Sequence, residues 1–450
     1  MSFALPRDSR LRHPDFLFGV ATAAYQVEGA STQDGRTPSI WDTFSREPGR
    51  VLNGDNGDIA CDHYHRWPQD LDLIQELGFD AYRLSIAWPR IVPERGQVNA
   101  LGLAFYDRLI DGLLERGIKP VVTLYHWDLP QYLGDRGGWV NRETAYLFAE
   151  FADTVSRRLG DRVHAYVTLN EPWCSAFLGY KLGLHAPGLK EPRLGFQAAH
   201  HLLLGHGLAL PALRANAPNS RLGLTLNFTP NYPASPRYND HAVALLEDAI
   251  NSHWFLQPVM EGCYPWLVRQ QLAEANPAIY PGDMAVISRP LDFLGVNYYT
   301  RSVVRDDGRG RATEAPLQHA ERSSIGWEIY PQGMYDLLLG LHRQYTLPPI
   351  VITENGAADV SPQEDTLRCR YHEQHLQAID RAIRDGVDVA GYFAWSLMDN
   401  FEWAEGYSQR FGLVHVDYKT QQRTKKRSAE LFRQFLAERT GAEAQTASAE

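Results

Sequence analysis

Short apolar runs rich in β-branched and aromatic residues recur along the chain, each followed by turn residues and then by a stretch with helical spacing. Eight such runs are read as strands: Phe16–Val27, Ala81–Ala87, Pro120–Tyr125, His164–Leu169, Arg221–Asn227, Phe293–Tyr298, Pro349–Thr353 and Val389–Trp395. Amphipathic stretches between and after them predict helices, among them Trp67–Leu77, Ala104–Arg116, Arg142–Leu159, Phe196–Ala215, His241–Leu256, Pro331–Gln344 and Thr366–Asp385. Strands that alternate with helices over a whole chain lie parallel and are joined by crossovers. Runs apolar on both faces fit a sheet covered on both sides. Eight such units, without a glycine-rich phosphate turn after the first, point to a closed (β/α)8 TIM barrel rather than an open doubly wound sheet.

No linker divides the chain, so residues 1–440 are expected to form one domain with elaborated loops, although 450 residues are enough for more than one. Arg301–Ser324, polar and charged, reads as a long surface loop on the rim of the barrel, and Gly441–Glu450 as a disordered tail. The net charge of −10 argues against a nucleic-acid partner, which would want a basic face. The one basic run, Arg423 to Arg427, reads as a solvated face. Four scattered cysteines (Cys61, Cys174, Cys263, Cys369) read as reduced thiols. Met1 to Pro14 holds no apolar run of signal-peptide length, and no stretch approaches about 18 uninterrupted apolar residues. A soluble cytoplasmic protein without a membrane partner is expected; whether it forms a homo-oligomer stays open.

In a barrel of this kind the carboxyl ends of the strands and the loops after them line the active site. Those ends hold Tyr25-Gln26, Trp88, His126-Trp127-Asp128, Asn170-Glu171-Pro172, Asn297-Tyr298-Tyr299, Glu354-Asn355-Gly356, and Trp395 with Glu402-Trp403 a little later. Two of them place a carboxylate directly after an apolar run, which is costly unless pairing or function explains it. Two glutamates opposed across a barrel mouth suit glycoside hydrolysis, one as a protonated acid and one as an ionised nucleophile or base. The alternative is structural: each glutamate pairs with an arginine such as Arg83. The surrounding Trp, Tyr, Asn, Gln and His favour the sugar reading, because aromatic faces suit the C–H side of a ring and amides and imidazoles match its hydroxyls. The 22 Tyr and 11 Trp thereby find a use.

The strings Thr168-Leu-Asn-Glu171-Pro172 and Ile352-Thr-Glu354-Asn-Gly356 resemble the two catalytic signatures of family 1 glycoside hydrolases, the β-glucosidases and their relatives. Phe16–Ala30, Tyr82–Trp88, Tyr125–Pro130, Asn297–Thr300 and Trp395–Trp403 resemble further motifs of that family, in its order, from about residue 14 to residue 436. The resemblance implies that Glu171 is the general acid/base and Glu354 the nucleophile, held ionised by Arg83 and Tyr299. It implies that Asn170 bonds the sugar 2-hydroxyl, that Gln26, His126, Trp127, Asn297, Glu402 and Trp403 take part in holding the non-reducing-end sugar, and that Trp395 is its stacking floor. Trp173, Asn227 and Trp327 fall on the leaving-group side. Relatives acting on 6-phosphorylated sugars replace the Glu-Trp pair with serine, and plant thioglucosidases lack the acid glutamate; both features are retained here, so an unphosphorylated O-glycoside is implied. The expected reaction is hydrolysis of terminal β-D-glucosyl residues, with fucosyl and galactosyl open, from O-glycosides or short β-linked oligosaccharides such as cellobiose. Water or an alcohol accepts the glycosyl group.

Two other classes are weaker. A metal hydrolase would use His63-Tyr-His65, but that pair follows a polar loop instead of ending a strand and reads as structural. His372 and His375 are not an HExxH pair, and His200, His201 and His206 fall on a helical stretch with packing or surface roles. No nucleotide motif is present, so no cofactor and no metal is expected. A catalytically inactive sugar-binding protein on the same fold is disfavoured by the presence of both glutamates.

Overall fold

The computed structural model describes residues 2–446. Eight parallel strands close into a barrel: β1 (Leu17–Ala21), β2 (Ala81–Ser85), β3 (Lys119–Tyr125), β4 (Ala165–Asn170), β5 (Arg221–Phe228), β6 (Phe293–Tyr298), β7 (Ile350–Asn355) and β8 (Val389–Trp395). Each pairs with its neighbour in sequence, and β8 returns to β1 through Leu17↔Gly391 to Ala21↔Trp395. Helices including His63–Leu77, Ala100–Glu115, Glu143–Leu159, Pro192–Asn216, Pro331–Gln344 and Thr366–Arg384 lie between the strands. The (β/α)8 barrel expected from the alternation is therefore the observed fold.

The barrel interior is filled by a compact set that includes Ala21, Ala81, Val121, Ala165, Val167, Phe293, Val351 and Phe393. Two phenylalanines occupy this narrow space because glycines face them. A Cβ on Gly19 would lie 2.3 Å from the Phe393 ring, and one on Gly223 2.4 Å from the Phe293 ring. Close packing of this kind tolerates no added methyl without rearrangement.

The pairing carries register shifts, most of them near the mouth and one at Ile350/Val351 near the start of β7. Along β7 the register shifts between Ile352 and Glu354 against β6, and between Ile352 and Asn355 against β8. Along β4 it shifts between Val167 and Asn170 against β5. Irregularities of this type turn side chains away from the ladder alternation. Here they fall just before the two glutamates read as catalytic.

Several expectations need correction. The first strand ends at Ala21, and Ala24–Val27 forms a helical turn held by the Ala24 amide on Ser85 Oγ at 2.6 Å. Trp88 leaves the barrel mouth: it opens a short helix and stacks on Phe151, ring centroids 5.0 Å apart. The segment 301–324 is not all loop, since Ser302–Asp306 and Ala312–Glu314 form an antiparallel pair that Asn231–Pro233 extends. The basic run 423–427 is in large part not solvated. Arg423 and Lys426 are buried on Asp70 and Asp399, because both carboxylates are buried and need a cation. The last helix, Arg427–Thr446, enters the segment read as a disordered tail, where Ala, Glu and Gln favour helix. Residues 447–450 of that segment lie outside the described residues.

Candidate active site

Glu354, at the end of β7, is buried and held from two sides. Arg83 Nη1 donates to its Oε1 at 2.6 Å and Tyr299 Oη donates to its Oε2 at 2.6 Å. The guanidinium is itself fixed: Nε donates to Thr123 Oγ1 (3.1 Å), Nη1 to the Thr353 carbonyl (3.3 Å) and Nη2 to Asn170 Oδ1 (2.6 Å). A guanidinium always carries its charge and meets a carboxylate in a rigid fork, so Arg83 fixes the Glu354 carboxyl group in place. The ion pair that sequence alone left as a structural alternative is present, and it belongs to the same cluster as the second glutamate.

Glu171 follows β4 with a left-handed backbone (φ 45°) that non-glycine residues rarely adopt. Trp127 (φ 81°) and Trp403 (φ 49°) share this feature, so three of the expected site residues sit on strained backbone, at a cost of order 1–3 kcal/mol each. Asn297 Nδ2 donates to Glu171 Oε1 at 2.7 Å, and the Cys174 thiol donates to its Oε2 at 3.2 Å. Burial raises the Glu171 pKa well above the usual carboxylate range, and the charge of Glu354 raises it further; the two hydrogen bonds and Arg83 pull the other way. The two carboxyl groups thus occupy unlike environments: Glu354 meets a guanidinium and a phenol, and Glu171 an amide and a thiol.

A ring of amides joins the two. Asn170 Oδ1 accepts from Arg83 and from Asn297 Nδ2 (3.2 Å), which leaves its Nδ2 to donate to His126 Nε2 at 3.1 Å. That bond places the imidazole proton on Nδ1, and burial keeps the ring neutral by holding its pKa well below the ordinary value. Asn297 Oδ1 accepts from Thr353 Oγ1 at 2.7 Å.

Among the described residues, buried polar atoms without a protein partner in this region include His126 Nδ1, Glu402 Oε2, Gln26 Oε1 and His185 Nδ1. Buried polar atoms are normally satisfied, so unpaired ones clustered in one site imply a ligand or water. Gln26 Nε2 is anchored to Asn400 Oδ1 (3.1 Å) and the Phe401 carbonyl (2.8 Å). Burial and the charges of Glu354 and Glu171 push Glu402 up to about 8, so it presents a hydroxyl donor as well as an acceptor at neutral pH. Trp127, Trp395 and Trp403 surround His126. The Trp127 and Trp403 ring centroids lie 4.4 Å apart, and Trp127 Nε1 donates to the Asn170 carbonyl at 2.9 Å.

These groups surround or underlie a cleft of about 600 Å3 that includes Glu171, Glu354, Asn297, Tyr299, Glu402 and the three tryptophans. Gln26, Arg83 and Asn170 are fully buried and act from beneath the lining. Trp173, Asn227 and Trp327 line the same cleft, with Trp327 37% exposed at the rim and packed on Tyr299 and Phe411. The residues to which the resemblance gave a role lie in or beneath this cleft, whereas Trp88, also expected at a strand end, lies away from it. Cys174, Thr353 and Asn400 were not anticipated, although Cys174 stands one helical turn beyond Glu171, a spacing that brings side chains together. The histidines weighed as metal ligands are placed as packing or surface groups: His63 on Asp70, His65 exposed on Asp62, His200 on Asp283, His201 on the Trp139 carbonyl, His206 on Thr168, His372 on Tyr392 and His375 on the Tyr371 carbonyl.

A barrel whose mouth holds an arginine-clamped glutamate and a second buried glutamate among aromatic and amide side chains is built as a glycoside hydrolase. The model of glycosyl hydrolase family 1 matches residues 9–441, and the chain belongs to that family, whose members work by retaining double displacement. It is 47% identical over 439 residues to a β-glucosidase of Agrobacterium sp., covering 95% of this chain and 96% of that one. It is 46% identical over 455 residues to a bifunctional β-D-glucosidase/β-D-fucosidase of Bifidobacterium breve, covering 94% and 97%. A structure of the Thermotoga maritima β-glucosidase in complex with castanospermine superposes with a TM-score of 0.91 at 45% identity, covering 94% of this chain and 98% of that one. Among the described residues no helix is long and apolar enough to cross a membrane.

Proposed function

We propose that the protein removes terminal non-reducing β-D-glucosyl residues from O-glycosides and short β-linked oligosaccharides such as cellobiose, through a covalent glycosyl-enzyme. Glu354 attacks the anomeric carbon while Glu171 gives its proton to the leaving oxygen. Glu171, now a carboxylate, then takes a proton from water, which displaces Glu354 from the sugar. Asn170 bonds the 2-hydroxyl, His126 donates from Nδ1 to a hydroxyl, and Gln26 and Glu402 hold those farther from the cleaved bond. Trp395 supplies the stacking face. The observation that carries this reading is the clamp on Glu354 by Arg83 and Tyr299, beside a buried Glu171 whose pKa burial raises.

Because Glu402 has its pKa raised to about 8, it accommodates hydroxyls that differ in orientation, so fucosyl and galactosyl groups are admitted as well. The bifunctional name of the Bifidobacterium breve relative supports that breadth. Retention of the Glu402-Trp403 pair, where relatives acting on 6-phosphorylated sugars carry serine, disfavours those substrates. Residues 1–440 act as one catalytic unit, and the four free thiols suit a reducing cytoplasm. An alcohol can replace water in the second step.

Proton NMR of the first sugar released from an aryl β-glucoside tests the stereochemistry. Retention requires the β-anomer, and initial release of the α-anomer overturns the double displacement. Glu354→Ala should abolish hydrolysis, and azide should restore turnover as a glycosyl azide; an active Glu354→Ala without added anion overturns the nucleophile assignment.

A further inference from the structure

Three buried threonines, Thr123 on β3, Thr225 on β5 and Thr353 on β7, stand below the two glutamates. Each follows by two residues a position of the barrel interior, namely Val121, Gly223 and Val351. Strand alternation therefore turns all three toward the barrel axis, one step nearer the mouth. Thr123 serves Arg83, whereas Thr225 Oγ1 donates to Thr353 Oγ1 at 3.1 Å.

The backbone places this second pair for contact with both glutamates. Ile352 pairs with Val296 and Glu354 with Asn297, so Thr353 is the extra residue of a bulge. Thr225 lies in register with Asn170, and its carbonyl accepts from the Glu171 amide at 3.0 Å. Gly295 on β6 keeps the space open: a Cβ there would lie 2.2 Å from Thr225 Oγ1 and 3.0 Å from Thr353 Cγ2.

The direction of each hydrogen bond in this chain is set from one end. Arg83 can only donate, so Asn170 Oδ1 accepts from it and also meets Asn297 Nδ2. Asn297 Oδ1 is thereby turned to Thr353, whose hydroxyl has to donate to it at 2.7 Å. The Thr353 lone pair is left for the Thr225 proton. The second N–H of Asn297 then meets Glu171 Oε1 at 2.7 Å.

We infer that Thr353, backed by Thr225, is a positioning residue for Glu171, because its hydroxyl anchors the Asn297 amide that meets the Glu171 carboxyl. As Glu171 gives its proton to the leaving oxygen, the bond from Asn297 becomes charge-assisted and strengthens. An amide without its anchor loses part of that gain, and only leaving groups that need the proton feel the loss. This inference rests on the glycosidase reading above and on the acid role given there to Glu171.

The test compares kcat/KM for cellobiose and a dinitrophenyl β-glucoside in the wild type, Thr353→Val, Thr353→Ser and Thr225→Val, with a pH profile on cellobiose. Valine keeps the branched shape and removes the hydroxyl. Thr353→Val should lower the cellobiose value about fivefold, the worth of one hydrogen bond, and the dinitrophenyl value less than about twofold. Asn297 holds the Glu171 pKa down, so a weaker bond should move the alkaline limb upward by about half a pH unit. The charged and titratable groups facing Glu171 include Glu354, Arg83, Glu402, Tyr299 and Cys174, and all of them remain in these variants. Thr353→Ser keeps the hydroxyl and should restore both readings. Thr225→Val should move both in the same direction by a smaller amount, and it carries the test if Thr353→Val does not fold. Equal losses on the two substrates, an unmoved limb, or no recovery in Thr353→Ser overturns the inference. Absence of any turnover of the dinitrophenyl β-glucoside by the wild type overturns the proposed function instead.

Discussion

Arg83 and Glu354 meet at 2.6 Å between β2 and β7, and the same guanidinium reaches Asn170 at the end of β4 at 2.6 Å. One fully buried cation thus ties the strand of the proposed nucleophile to the strand that precedes the proposed acid. Removing it leaves a buried carboxylate unpaired and frees the amide that orders Asn297 and His126. Arg83→Met is expected to lower kcat/KM for an aryl β-glucoside by on the order of 10^3, about 4 kcal/mol. Arg83→Lys should recover only part of this, because an ammonium cannot serve Glu354, Asn170 and Thr123 in one plane. Full activity in Arg83→Lys would show that charge alone suffices.

Glu171 acts on the leaving group, so the loss on Glu171→Gln depends on how much protonation that group needs. For a dinitrophenyl glucoside, whose leaving oxygen departs as a stable anion, glycosyl-enzyme formation should fall less than tenfold. For cellobiose kcat/KM should fall by on the order of 10^2–10^4. Equal losses on both substrates would assign the proton to another group.

The barrel was legible because each strand is apolar on both faces and each helix has one apolar stripe, patterns that are local in sequence. Strand one is shorter than its apolar run for the same reason: Ala21 to Val27 is mostly apolar whether extended or helical, and the distant Ser85 hydroxyl holds the helical turn. The strands within 301–324 are short and polar, with no alternation to announce them. The burial of Lys426 follows from Asp399, which pattern cannot pair with it. The two glutamates were legible because a carboxylate closing an apolar run has few bland explanations. Their coupling through Asn170, Asn297 and Cys174 was not, since it depends on register shifts and a left-handed turn at Glu171.

Asp399 carries the turn between Trp395 and Glu402. It accepts from Lys426 Nζ and Arg410 Nη1, both at 2.7 Å, and from the Gly412 amide at 3.1 Å. Asp399→Asn leaves Lys426 fully buried beside a neutral amide, a loss of about 3–5 kcal/mol of stability. The urea midpoint should fall accordingly. Because the same turn delivers Glu402 and Trp403, KM for aryl β-glucosides should rise at temperatures where the variant stays folded. An unchanged midpoint would mean that Arg410 and Lys426 are satisfied without the charge.

The last prediction concerns pH. Glu171 must be protonated to act as an acid, so activity is present below its raised pKa and is lost as pH rises through it. The Cys174 thiol, held in its neutral form by burial and the nearby carboxylates, stabilises the Glu171 carboxylate through its S–H bond and so holds that pKa down. Removing the donor with Cys174→Ala should move the alkaline limb of kcat/KM upward by about half a pH unit. Cys174→Ser keeps a hydroxyl donor and should leave the limb near its wild-type position. A limb that shifts downward in Cys174→Ala, or equally in both variants, would show that the thiol acts through packing and not through its hydrogen bond to Glu171.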